Sequence, residues 1–118
     1  MTPRAATIPV QVVSEANQRE HHMAKHRRKK RQREVAAAFL YQAGFNSMDR
    51  VVAAVTLTRV YAGRCKSMDD DNLAGSFKHV QDAVSAVIGI DDARIKWQYR
   101  QEPGDDHAVV VEITEFAT

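Results

Sequence analysis

The sequence predicts an α/β chain of the α+β kind, with one small mixed β-sheet and two helices on one face. The expected order is β-α-β-α-β-β. Three observations carry this. Alternating, β-branched runs recur at 7–13, 51–61, 95–99 and 109–113. Apolar residues return at helical spacing in 35–43 and 73–88. Stop and turn chemistry separates these runs, at Gly44, at Gly89 and at Glu102-Pro103-Gly104-Asp105-Asp106. With 118 residues, a single domain over 1–118 is expected.

Residues 1–6 read as a loose tail. In 7–13, Ile8, Val10 and Val12 share a face, and Pro9 restricts this strand to a sheet edge. One long helix is expected over 20–43. Val35, Ala36, Phe39, Leu40 and Ala43 form its apolar stripe, and Gly44 stops it. In 51–61, alternation places Val51, Ala53, Val55, Leu57 and Arg59 on one face. A second continuous helix is expected over 72–88, with a stripe of Leu73, Phe77, Val80, Val84, Val87 and Ile88. Gly89 followed by Ile90 suits a Schellman-type cap. The runs around Ile95-Lys96-Trp97-Gln98-Tyr99 and 109–113 read as a hairpin.

Charge is divided along the chain. Residues 1–68 hold 13 Lys/Arg against 4 Asp/Glu, and 69–118 hold 4 against 11, although the net charge is only +2. Such a division suggests a polyanion partner for one region and a separate use of negative charge in the other. No apolar run approaches the ~20 residues of a membrane span. The N-terminus lacks the long apolar segment of a secretory signal, and Cys65 has no second cysteine to pair with. A reducing, cytoplasmic setting is the expectation.

The basic excess is concentrated in Lys25-His26-Arg27-Arg28-Lys29-Lys30-Arg31-Gln32-Arg33, seven Lys/Arg in nine residues. A helix positive on all sides resists burial, and phosphate neutralisation is its ready use. Lys25, Arg27, Arg28, Lys29, Lys30, Arg31 and Arg33 are therefore candidate DNA contacts. They would position a duplex without reading its sequence. A solvated helix is the plain alternative.

The acidic excess begins at Asp69-Asp70-Asp71-Asn72. In an extended approach to a helix, Asp69 and Asp71 point to the same side and Asp70 points away. Adjacent carboxylates repel unless solvent, a cation or basic partners absorb the charge. Mg²⁺ uses one or two carboxylates plus waters and phosphates, a set suited to phosphodiester hydrolysis. By spacing alone, a solvated acidic loop capping a helix is the simpler reading of the cluster. An EF-hand loop fails, because Gln81 falls where its bidentate Glu belongs. On a continuous helix, Asp71, Lys78 and Asp82 would share a stripe opposite the apolar one. His22 and His26 stand at a metal-compatible i,i+4 spacing but in cationic surroundings.

Asp69-Asp70-Asp71-Asn72, then Lys78, then Asp82, then Asp91-Asp92-Ala93-Arg94-Ile95 resembles the RusA family of Holliday-junction resolvases, above all its phage and prophage members. The resemblance covers roughly 51–100. It implies a homodimeric endonuclease that resolves four-way DNA junctions by paired nicks. Mg²⁺ would be its cofactor, with Mn²⁺ as a substitute. Asp69, Asp71 and Asp92 would be catalytic and metal-binding, with Asp91 the alternative to Asp92, and Lys78 would be the motif lysine. The stretch between Asn72 and Lys78 is longer than in the family's best-known form, by about one helical turn. The setting implied is the cytoplasm of a bacterium or a phage-infected host. The reading from a different class is a non-catalytic, basic nucleic-acid-binding module of phage origin.

Overall fold

A computed structural model of the chain describes residues 4–14, 21–47 and 51–117. The expected helix start at Glu20 and its polar lead-in at 15–19 lie outside these residues. Four strands form one mixed sheet: β1 (Arg4–Ile8), β2 (Val51–Tyr61), β3 (Lys96–Pro103) and β4 (Ala108–Ala117). Their spatial order is β1-β4-β2-β3. β3 runs parallel to β2, whereas β4 runs antiparallel to both β2 and β1. Helices α1 (His22–Gln42), α2 (Asp70–Ser76) and α3 (Lys78–Ile88) supply the apolar cover. The α+β class is as the sequence predicts.

One face of the sheet builds the core. Ile8 from β1, Leu57 from β2 and Val109, Val111 and Ile113 from β4 are fully buried, in one cluster with Ala36, Leu40, Val80 and Val84. These are the apolar positions that helical and strand periodicity pick out. On the other face, Thr56 donates to Gln98 across the β2–β3 pair at 3.1 Å.

Four expectations are corrected. First, β1 begins at Arg4, so part of the supposed tail is strand. Pairing with β4 extends it, and Pro9 ends it instead of standing inside it. Second, 95–99 and 109–113 are not a hairpin. β2 lies between them and uses both of its edges. The chain leaving β3 crosses over β2 instead of folding back beside itself.

Third, alternation along β2 is broken by a register shift between Val52 and Val55. Val52 and Val55 both join the core, although an odd spacing separates them. The inward set is thus Val52, Val55, Leu57 and Arg59, not one that includes Ala53.

Fourth, the second long helix is two helices. At Phe77 the backbone N–H bonds to Ala74 O at 3.3 Å, a tighter i→i−3 turn. Ser76 Oγ donates back to Leu73 O at 2.7 Å, and Gly75 weakens the same turn. Phe77 is fully buried and stacked on Tyr99, with ring centroids 5.6 Å apart. Packing of this one ring outweighs helix continuity. At the far end, Gly89 takes φ +74° and Ile90 N–H reaches Ser85 O, the expected Schellman closure.

Candidate functional site

β1, β2 and β3 all run the same way, so their carboxyl ends share one rim of the sheet. From that rim leave residues 9–14 and the loop 62–69. Crevices outside strand carboxyl ends are where α/β sheets offer ligand sites. Asp69 ends the loop and N-caps α2. Its Oδ1 accepts from Asn72 N–H at 2.9 Å, and its Oδ2 accepts from Asn72 Nδ2 at 3.0 Å. Asn72 Oδ1 in turn accepts from Ser14 Oγ at 2.9 Å. Asp70 and Asp71 form the first turn of α2, where negative charge faces the positive helix end. All three carboxylates are exposed.

The helix therefore starts two residues earlier than expected. Asp70 and Asp71 are helical neighbours ~100° apart, and the alternation that set Asp70 aside does not apply. Lys78 opens α3, beyond the break at Phe77, and is exposed. Of the expected stripe, Lys78 and Asp82 stay at i,i+4 on α3, and Asp71, on α2, is cut off from them.

A clamp not foreseen from the sequence holds the loop down. Met68 N–H donates to Gln101 Oε1 at 2.9 Å, and Gln101 Nε2 donates to Met68 O at 2.6 Å. Arg59, only 5% exposed, donates through one guanidinium nitrogen to Gln101 Oε1 and Lys66 O, each at 3.1 Å. The guanidinium also stands 4.6 Å from the centre of the Tyr61 ring. Burial pulls the Arg59 pKa down, and the nearby Cys65 and Tyr61 oppose that shift. The signal was present in β2: an arginine on the apolar face needs hydrogen-bond partners indoors.

Residues 9–14 tie this rim to the basic helix. Gln32 Nε2 donates to Gln11 O at 3.2 Å, and Gln11 Nε2 reaches Cys65 Sγ at 3.8 Å. Together with the Ser14–Asn72 bond, these place the N-terminal half of α1 and the Asp69 cap at the same end of the molecule. On α1, Arg27, Lys30 and Arg31 are exposed, and Lys25, Arg28, Lys29 and Arg33 are half-buried. Lys30 Nζ lies 3.9 Å from Glu34 Oε1, an exposed pair of little energetic weight. His21 caps α1, its Nδ1 accepting from Met23 N–H at 3.2 Å.

Asp91 and Asp92 stand at the other end of β3. Asp91 Oδ1 accepts from Ala93 N–H at 3.0 Å and caps a 3₁₀ turn over Asp92–Arg94. Asp92 O accepts from Trp97 Nε1 at 2.9 Å. The loop before Asp69 is clamped at Gln101 and the Asp92 turn at Trp97. Four residues of strand separate these two anchors, roughly 13 Å. β3 does run beside β2, as a shared site would require, but the two acidic groups occupy opposite ends of it. Among the described residues, no three His, Cys, Asp or Glu side chains gather as a metal would need. Asp69, Asp70 and Asp71 are thus neighbours along the chain at the start of α2 whose three carboxylates do not converge, and Asp92, Asp91 and Lys78 lie on other elements.

Between the two ends lies Tyr99. Its hydroxyl donates to Gln81 Oε1 at 2.8 Å. Burial, and after it the Asp92 charge, raise its pKa. No helix among the described residues is long and apolar enough to cross a membrane. The sequence matches no protein-family model and no curated protein.

Proposed function

We propose that the protein is a structure-selective endonuclease acting on branched DNA, working as a homodimer with Mg²⁺. The observation that carries this reading is the meeting of opposite charges on one rim. An exposed acidic turn, Asp69 to Asp71, shares the strand carboxyl ends with the cationic half of α1. The order of residues from Asp69 to Asp92, which resembles the RusA pattern, points to the same chemistry.

The residues suit Mg²⁺ in its usual protein setting of one or two carboxylates completed by water and phosphate. Asp69 spends two of about four acceptor positions on its cap, which leaves two for a cation. Asp71 would be the second ligand. When bound, the ion supplies charge neutralisation at the scissile phosphate and acidifies water. The chain's own residues do the rest. The Asn72 bonds fix the Asp69 carboxylate, the Gln101 clamp fixes the loop behind it, and α1 holds the DNA backbone. Asp92 joins from the second copy of the dimer, because within one chain it stands at the wrong end of β3.

The second reading, a nucleic-acid-binding module without catalysis, is favoured by one observation. Asp69 already has a complete structural task as a helix cap. A synthetic four-way junction and a linear duplex, each with and without Mg²⁺, separate the two readings. The endonuclease makes paired, Mg²⁺-dependent nicks in the junction alone, and Asp71→Asn abolishes them while junction binding persists. Wild-type protein that binds the junction and never cuts it leaves the binding module.

A further inference from the structure

The basic half of α1 is not solvated on every side. Where it passes residues 9–11 a cleft of about 350 Å³ opens, with Arg28, Arg31, Gln32 and Val35 on one wall. Pro9 and Val10 face them. That volume falls in the lower range of small-ligand sites. Gln32 interrupts the basic run and is only 4% exposed. Its Nε2 is used by Gln11 O, whereas its Oε1 is buried with no hydrogen-bond partner. The amide orientation is set by that first bond, because turning it over would aim oxygen at oxygen.

A buried carbonyl without a donor carries an uncompensated desolvation cost, which an occupant with an N–H would relieve. The cleft therefore asks for three things at once. Negative charge would meet Arg28 and Arg31, a flat apolar body would lie against Pro9, Val10 and Val35, and an N–H donor would serve Gln32. A phosphate group alone satisfies only the first. Guanidinium groups both pair with phosphate and stack on bases.

We propose that this cleft binds a single unpaired nucleotide, its phosphate on Arg28 and Arg31 and its base edge donating to Gln32 Oε1. In a duplex, base edges are paired and base faces stacked, so the cleft selects interrupted DNA. This inference rests on the DNA-binding part of the function proposed above and gives it a source of structure selectivity, because branch points are where stacking is interrupted.

The test compares a short fluorescent oligothymidylate with an abasic strand of the same length and label, using the full chain. The wild type binds the thymidylate about tenfold more tightly, the scale of one base contact. Gln32→Met keeps its affinity for the abasic strand and loses the preference, with a thermal melt lowered only by the lost bond to Gln11 O. Gln32→Leu carries the same expectation should Gln32→Met fail to fold, whereas Arg31→Gln, at an exposed position, weakens the binding of both strands. Equal wild-type affinity for the two strands overturns the proposal, as does a preference that survives the loss of the Gln32 amide. If junctions are cut while neither single strand binds, the cleft proposal falls and the endonuclease stands. A base preference without any cutting gives the reverse.

Discussion

Two acidic clusters, Asp69 to Asp71 and Asp91-Asp92, both supply helix caps. Asp69 caps α2 and Asp91 caps a 3₁₀ turn, each through a side-chain oxygen on a nearby backbone N–H. Their surroundings differ. The Asp69 cluster is exposed on the rim that it shares with the cationic helix, joined to it through residues 9–14. The Asp91-Asp92 cluster leans on Trp97 and influences Tyr99. Capping explains why aspartate occurs at both places, but not why three aspartates stand together at the first. A cap needs one carboxylate; the two beside it also suit the positive end of α2, and their repulsion is relieved by solvent, basic partners or a cation. The contrast separates a structural use of aspartate from a candidate chemical one.

The largest expected effect bears on whether the two clusters act together. Asp71→Asn and Asp92→Asn each lower junction cutting by about a hundredfold or more, as loss of a metal-site carboxylate should. If Asp92 comes from the second copy, mixing the two dead variants restores roughly a quarter of the wild-type nicking, because mixed dimers regain one intact site. Failure of the mixture to cut would place all the carboxylates in one chain and sink the shared site.

Removing positive charge from the rim comes next. Replacing exposed Arg27, Lys30 and Arg31 with Ala should weaken junction binding and flatten its dependence on salt. The log–log slope drops by about 2 to 3, near 0.9 for each phosphate that is no longer neutralised. An unchanged slope in a salt titration would show that α1 does not meet the backbone.

A smaller effect distinguishes cap from charge at Asp69. Asp69→Ala should cost about 1 kcal/mol of stability, while Asp69→Asn should stay within a few tenths, because Asn caps as well as Asp does. Denaturant melts of both variants measure this, and equal losses would mean that the cap contributes nothing.

The smallest effect belongs to the other cluster. Asp92 is one cause of the raised Tyr99 pKa, so Asp92→Asn should move the Tyr99 phenol back toward its ordinary range in an ultraviolet titration. The native state holds this proton more tightly than the unfolded chain does. Its contribution to stability is therefore complete below the ordinary tyrosine pKa of ~10 and fades as pH rises through the native value. A Tyr99 midpoint that ignores the substitution would separate the two groups.

Much of the fold was legible in the sequence because short-range rules governed it. The apolar stripe of α1, its stop near Gly44, and the Gly89–Ile90 closure follow from spacing and backbone freedom. What failed depended on tertiary partners. No local signal shows that β2 inserts between β3 and β4, or that the fit of Phe77 against Tyr99 ends a helix. The shift between Val52 and Val55 is likewise invisible to strict alternation. At the site, the residue types of the acidic turn and the basic helix could be read directly. Their common rim could not, since it depends on Gln11, Ser14, Arg59 and Gln101, polar residues whose roles exist only once the sheet has formed. The separation of Asp92 from Asp69 has the same origin, in the direction of β3.

Asp69→Asn removes the charge and keeps the cap, so its junction cutting in Mg²⁺ tests the central claim most directly. The rim site predicts a folded protein with wild-type junction affinity and at least about a hundredfold slower nicking. Cutting at the wild-type rate by that variant would contradict it and return Asp69 to a purely structural role.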